Sequence, residues 1–104
     1  MTLRQTHQSF NRIVAFEVSK ETLVVHVLPR DEQFSIPNKL KSVRRVLRSE
    51  AKRIAKAEHG SLLVVVEAIG GYQCNVLQSS VELDLSVHKA HGSRVRFFAR
   101  YLRR

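Results

Sequence analysis

Residues 12–28 read RIVAFEVSKETLVVHVL, two β-branched apolar runs joined at KET, whose Thr22 opens the second run. In the first run Ile13, Val14, Ala15, Phe16 and Val18 are apolar at both parities, the mark of a strand covered on both faces. The second run, TLVVHVL, begins so soon that only a hairpin can connect the two, which makes them an antiparallel pair. One carboxylate, Glu17, is set into the first strand. A buried carboxylate without a partner costs several kcal/mol, so Glu17 is expected to be paired, metal-bound or at an exposed edge.

Outward from this hairpin, PRDE (29–32) supplies turn chemistry, and QFSIP (33–37) is short enough for a third, edge strand ended by Pro37. Asn38 is placed to cap a helix over residues 39–58, where Leu40, Val43, Leu47, Ala51 and Ile54 share one face and Gly60 signals the stop. SLLVVVEA (61–68) is a continuous apolar run of strand length. Gly70 and Gly71 break it, and YQCNVLQSSV (72–81) reads as a short helix with Tyr72, Val76 and Leu77 inward. LDLSVH (83–88) is a fifth strand and AHGS (90–93) a turn, after which Ser93 caps a last helix with Val95, Phe98 and Leu102 on its apolar side. Residues 1–11 are polar and read as a flexible N-terminus, leaving 12–104 as one domain. The expected architecture is α/β, a five-stranded mixed sheet in the order β-β-β-α-β-α-β-α with right-handed crossovers. That is the order of the ribonuclease-H-like fold, in which the first strand is central and the fourth lies beside it.

The chain has 104 residues, 43% of them hydrophobic and 26% charged, which suits one folded domain and not a disordered segment. Its 18 Lys and Arg against nine Asp and Glu leave a formal charge of +9, so a polyanion, nucleic acid first, is the expected partner. No run reaches the roughly 18 apolar residues of a membrane span, and no stretch resembles a signal peptide, so a cytoplasmic protein with no membrane partner is expected. Cys74 is the only cysteine, which excludes an intrachain disulfide and a cysteine-based zinc site.

Glu67, near the end of LLVVVEA, repeats the oddity of Glu17. If strands one and four are parallel neighbours, both carboxylates emerge at the same sheet edge, where α/β proteins place their sites. Oxygen ligands so grouped suit Mg²⁺ or Mn²⁺. An ion pair with Lys20 or an arginine would account for each carboxylate as well.

FEVSKETLVVHVL (16–28), followed by VVVEAIGGY (64–72) and SRVRFFARYLRR (93–104), resembles the N-terminal RuvC-like domain of DEDD-type insertion-sequence transposases, relatives of the RuvC resolvase and the pilin-gene invertase Piv. The family pattern runs close to GIDVSKxxLxVAV, then xxVxEATGGYxxxL, then RQVRDFARAL, and the match covers about Arg12 to Arg104. The resemblance implies a metal-dependent DNA transposase or recombinase, with the catalytic acids and metal ligands at Glu17 and Glu67 and a weakly held Mg²⁺ or Mn²⁺. It implies DNA as partner, or a structured RNA, which some relatives use to choose a target. Two departures bear on activity. Glu17 stands where the family has Asp, moving the oxygens by about one bond length at an ion that tolerates little distortion. The family's D-x-x-D element and later serine are not found up to Arg104, so an incomplete catalytic set is expected. Asp84 falls at the start of the fifth strand, the far end from Glu17 and Glu67.

The first helix carries Lys41, Arg45, Arg48, Lys52 and Lys56 opposite its apolar face, with Arg44 and Arg53 alongside and only Glu50 and Glu58 to offset them. The last adds Arg94, Arg96, Arg100, Arg103 and Arg104. Arg94, Arg96, Arg100, Arg103, Arg45, Arg48 and Lys52 are the expected nucleic-acid-binding residues, contacting phosphates rather than bases. A solvated helix face explains such runs elsewhere. Gly70 and Gly71 fit either a tight strand-to-helix turn or a phosphate approaching the next helix. His26, His59, His88 and His91 lack ligand spacing and read as surface residues, and Cys74 as a small helix residue.

A nucleic-acid-binding transposase domain is therefore the leading expectation. A nuclease completed by another subunit ranks next. An assembly module, dimerising through the third strand's edge or through Phe97, Phe98 and Tyr101, is a further reading. Half of an actin-like ATPase, suggested by the acid and Ser-Lys after strand one, ranks last because the phosphate-loop glycine is missing.

Overall fold

The computed structural model describes residues 10, 12–57, 62–67 and 70–90, with the side chains of 55–57 excepted. It is an α/β arrangement of β1 (Arg12–Val18), β2 (Thr22–Leu28), β3 (Glu32–Pro37), α1 (Leu40–Ala57), β4 (Leu62–Glu67), α2 (Cys74–Glu82) and β5 (Ser86–Ala90). The five strands form one mixed sheet in the order β3-β2-β1-β4-β5. β1 is central, antiparallel to β2 and parallel to β4, and β5 continues the parallel half. Among the described residues β3 pairs with β2 alone and is an edge strand. The last expected helix, with Val95, Phe98 and Leu102, and the Gly60 stop lie outside the described residues.

Side-chain parity divides the sheet. Val14, Phe16 and Val18 of β1, Leu23, Val25 and Val27 of β2, and Leu62, Val64 and Val66 of β4 form one buried cluster with Val43, Leu47 and Ile54 of α1 and Val76 of α2. The opposite parity carries a smaller cluster of Ala15, Val65 and Ala90, flanked by Ile13 and Leu63, to which no described helix contributes. Both described helices therefore pack on one face. The spacing of α1 explains its side: Val43, Leu47 and Ile54, four and then seven residues apart, fall on one helical face and sit on the sheet, leaving the cationic positions outward.

Several expectations shift. Tyr72 precedes α2 and is exposed rather than inward, because the helix starts only at Cys74 after a turn through Gly70 and Gly71. Both glycines have positive φ, +51° and +86°, which meets the tight-turn reading. The fifth strand begins at Ser86 rather than Leu83. Leu83 and Asp84 close the end of α2, and the Asp84 amide donates to the Val81 carbonyl with Asp84 itself at φ 58°. Asp84 thus lies in the turn before β5, still at the far end from Glu17 and Glu67.

Asn38 is not a helix cap. Its Nδ2 donates to the carbonyls of Ser19 and Tyr72, at 2.9 and 3.0 Å. Its own carbonyl and Oδ1 accept from Asn75 Nδ2 at 3.1 and 3.0 Å. The side chain that was expected to satisfy the first turn of α1 instead joins the β1–β2 turn, the turn before α2 and α2 itself.

Candidate functional site

The β1–β4 register pairs Phe16 with Val66, so the next position on each strand is a glutamate, Glu17 beside Glu67. Both have the parity of the second face, to which no described helix contributes, and both lie at the carboxyl ends of parallel strands, as expected for a site. Ala90 of β5, opposite Glu67, completes this edge.

The two carboxylates already have protein partners. Glu67 is 8% exposed, and its Oε1 accepts a hydrogen bond of 3.1 Å from the Val18 amide. That amide lies beyond the last β1–β4 pair, so the carboxylate extends the ladder by one bond where the backbone no longer does. Glu17 Oε2 stands 2.5 Å from His26 Nε2. His26, expected on the surface, is instead largely buried beside Glu17 on the sheet face. Alternation carries the signal for this pair: with Val18 opposite Leu23, Glu17 and His26 share a parity and meet diagonally across the hairpin.

Mg²⁺ or Mn²⁺ can be held by one or two carboxylates with waters completing the shell. Glu17 and Glu67 offer two such ligands on one face. Among the described residues no group of three or more His, Cys, Asp or Glu is disposed to hold a metal ion. The donor set thus fits part of a hard-cation site, and further ligands would have to come from elsewhere.

The basic residues of α1 form a second, separate feature. Lys41, Arg44, Arg45, Arg48, Lys52 and Arg53 line one open groove with Ser49, Ala51 and Leu83. The three sequence-derived residues Arg45, Arg48 and Lys52 are therefore brought together. Arg94, Arg96, Arg100 and Arg103 lie outside the described residues. Arg44 is committed locally: its Nε and Nη2 donate to the two carboxylate oxygens of Glu82, each at 2.8 Å. Arg44 thereby holds the Glu82 carboxyl down at about 2, with help from Gln78. In turn the Arg44 guanidinium is pushed further up by the Glu82 hydrogen bond.

Glu50, expected to offset the cations of α1, does something else. It falls on the apolar stripe of the helix between Leu47 and Ile54 and is 4% exposed. Arg12 Nη1 donates to its Oε1 at 3.3 Å and Arg30 Nη2 to its Oε2 at 3.0 Å, with Glu32 sharing Arg30. The Arg30 guanidinium is raised, first by its hydrogen bond to Glu32 and then, against desolvation, by Glu50. The outward face of α1 is consequently more positive than its sequence implies, since Glu50, the one acid within Leu40–Ala57, points into the core.

No helix among the described residues is long and apolar enough to cross a membrane. No family model matches the chain, and no curated protein matches it. Among solved structures it is similar to a member of the Ppx/GppA protein family from Aquifex aeolicus, at 10% sequence identity and a TM-score of 0.45, over 80% of this chain and 36% of that one. The chain thus spans about a third of the length of that solved protein.

Proposed function

We propose that this chain is a nucleic-acid-binding domain of ribonuclease-H-like type, the N-terminal domain of a DNA transposase or recombinase. The observation that carries the reading is the gathering of Arg45, Arg48 and Lys52 with Lys41, Arg44 and Arg53 in one groove on α1. Cations so grouped neutralise phosphates and release counterions, the main source of affinity for a nucleic-acid backbone. A central β1 parallel to β4, with Glu17 beside Glu67, supports the ribonuclease-H-like part. The step to transposition rests on the sequence blocks FEVSKETLVVHVL and VVVEAIGGY. The test is binding of duplex DNA and of a structured RNA at low ionic strength, with salt titrated in. Affinity that falls steeply with salt is expected; no salt-sensitive binding to either overturns the reading.

A second reading, a metal-dependent nuclease completed by another subunit, is favoured by the adjacency of the two glutamates. In it Glu17 and Glu67 supply two ligands to Mg²⁺ or Mn²⁺ and a second chain supplies the rest. Nicking that Glu67→Gln abolishes is expected, and no nicking in either metal removes this reading.

A further inference from the structure

From the groove on α1 we infer that its ligand is the backbone of a double helix, held as an anchor on the side of the sheet opposite Glu17 and Glu67. The inference rests on the nucleic-acid reading above and specifies what that site grips and where.

Three observations carry it. The first is the shape of the charge. Lys41, Arg45, Arg48 and Lys52 follow one another at intervals of four, three and four residues, all exposed, along one uninterrupted helix. At 1.5 Å per residue the row is about 16 Å long. One strand of a duplex rises 3.4 Å of axis per phosphate while winding around it, so a straight row of this length runs beside a short series of phosphates at fixed spacing. A row carried on one helix matches a stiff partner, since neither backbone has to be ordered on binding.

The second is the chemistry of the walls. The groove is lined by Lys, Arg, Ser, Ala and Leu, with no aromatic ring among the described residues. Single strands are gripped largely by stacking their bases on aromatic side chains, and among the described residues this groove has no such platform. Its described lining offers charge to phosphates and nothing flat to bases. Arg44 is fixed against Glu82, which leaves the groove's remaining cations as the phosphate contacts.

The third is placement. The apolar stripe of α1 lies on the sheet face of Phe16 and Val66, so its cationic stripe points away from the sheet. Glu17 and Glu67 belong to the other face, with Ala15 and Val65. A backbone seated on α1 is separated from the two carboxylates by the sheet itself. The groove therefore anchors nucleic acid and does not present it to the acidic pair.

The experiment compares binding of a random-sequence duplex and of either of its strands, at equal length, by the full chain and two triple variants. One removes groove charge, Arg45→Gln, Arg48→Gln and Lys52→Gln; the other removes equal charge elsewhere, at the exposed Lys20, Lys39 and Lys89. The full chain should prefer the duplex. The groove variant should bind it at least about tenfold more weakly at moderate salt, with the slope of log K against log salt shallower by about 2 to 3. The second variant should keep most of that slope. Equal losses in both variants, an unchanged groove variant, or preference for the single strand each overturn the inference while leaving nucleic-acid binding in place. No salt-sensitive binding by the full chain overturns both.

Discussion

Glu17 Oε2 and His26 Nε2 stand 2.5 Å apart on neighbouring strands, joining the odd charge of the central strand to the one ring on its hairpin partner. Both side chains are mostly buried, with 18% and 12% of their surfaces exposed. Truncating one leaves the other short of a hydrogen-bond partner, at about 1 to 3 kcal/mol. His26→Ala and Glu17→Ala should each lower the urea midpoint. The double variant should lose less than the sum, by a coupling of about 1 kcal/mol. Additive losses would show that the contact does not matter in solution.

Glu50 makes a sharper case, because two arginines converge on one buried carboxylate. Glu50→Ala takes the carboxylate from Arg12 and leaves Arg30 with Glu32 alone, and should cost about 1 to 3 kcal/mol, whereas Glu50→Gln, which keeps an acceptor, should cost less. Chemical denaturation of both variants checks the order. A Glu50→Ala protein as stable as the parent would refute it.

Acid should act on the α1–α2 contact through Glu82. Its folded carboxyl lies at about 2, below the usual carboxylate range, mainly because of Arg44. Below the unfolded carboxyl value the unfolded chain binds the proton first. The contribution is therefore complete above about pH 4.5 and is lost as pH falls toward 2. Carboxyl NMR should place the Glu82 titration near the bottom of that window, and Arg44→Gln should move it upward. A midpoint that Arg44→Gln leaves unchanged would assign the shift to something else.

Gly71 has φ +86° and open space where a Cβ would stand. Gly71→Ala should therefore cost only the backbone term, about 1 to 2 kcal/mol, with no clash added. A loss well above that in thermal or urea unfolding would point to a steric role for the bare Cα.

Much of this molecule is legible in its sequence because local periodicity and burial agree. The hairpin of β1 and β2 follows from the three-residue link, and α1 from the recurrence of Val43, Leu47 and Ile54. The partners are less legible, since they depend on what lies across space. Glu50 counts as a surface acid until its place in the apolar stripe is noticed, and nothing local names Arg30 as its partner. His26 as the neighbour of Glu17 requires register as well as composition. Asn38 has every local attribute of a cap, and tertiary bonds to Ser19, Tyr72 and Asn75 outbid that role. β5 starts later than LDLSVH suggests because Leu83 and a left-handed Asp84 close the end of α2, a conformation that Asp tolerates but does not announce.

The bonds of Asn38 also bear on how the edge beside Glu17 and Glu67 opens. One side chain ties carbonyls at Ser19 and Tyr72 to the start of α1, and Asn75 ties α2 back to it. Segments far apart in sequence thus share a fastening, and releasing it frees them together. In native-state hydrogen exchange the amides at Ser19 and Asn38, which bond across these turns, should behave with that of Cys74 as one opening unit rather than as independent loops. On that outcome the turns around the acidic edge form one cooperative module fastened by an uncharged residue.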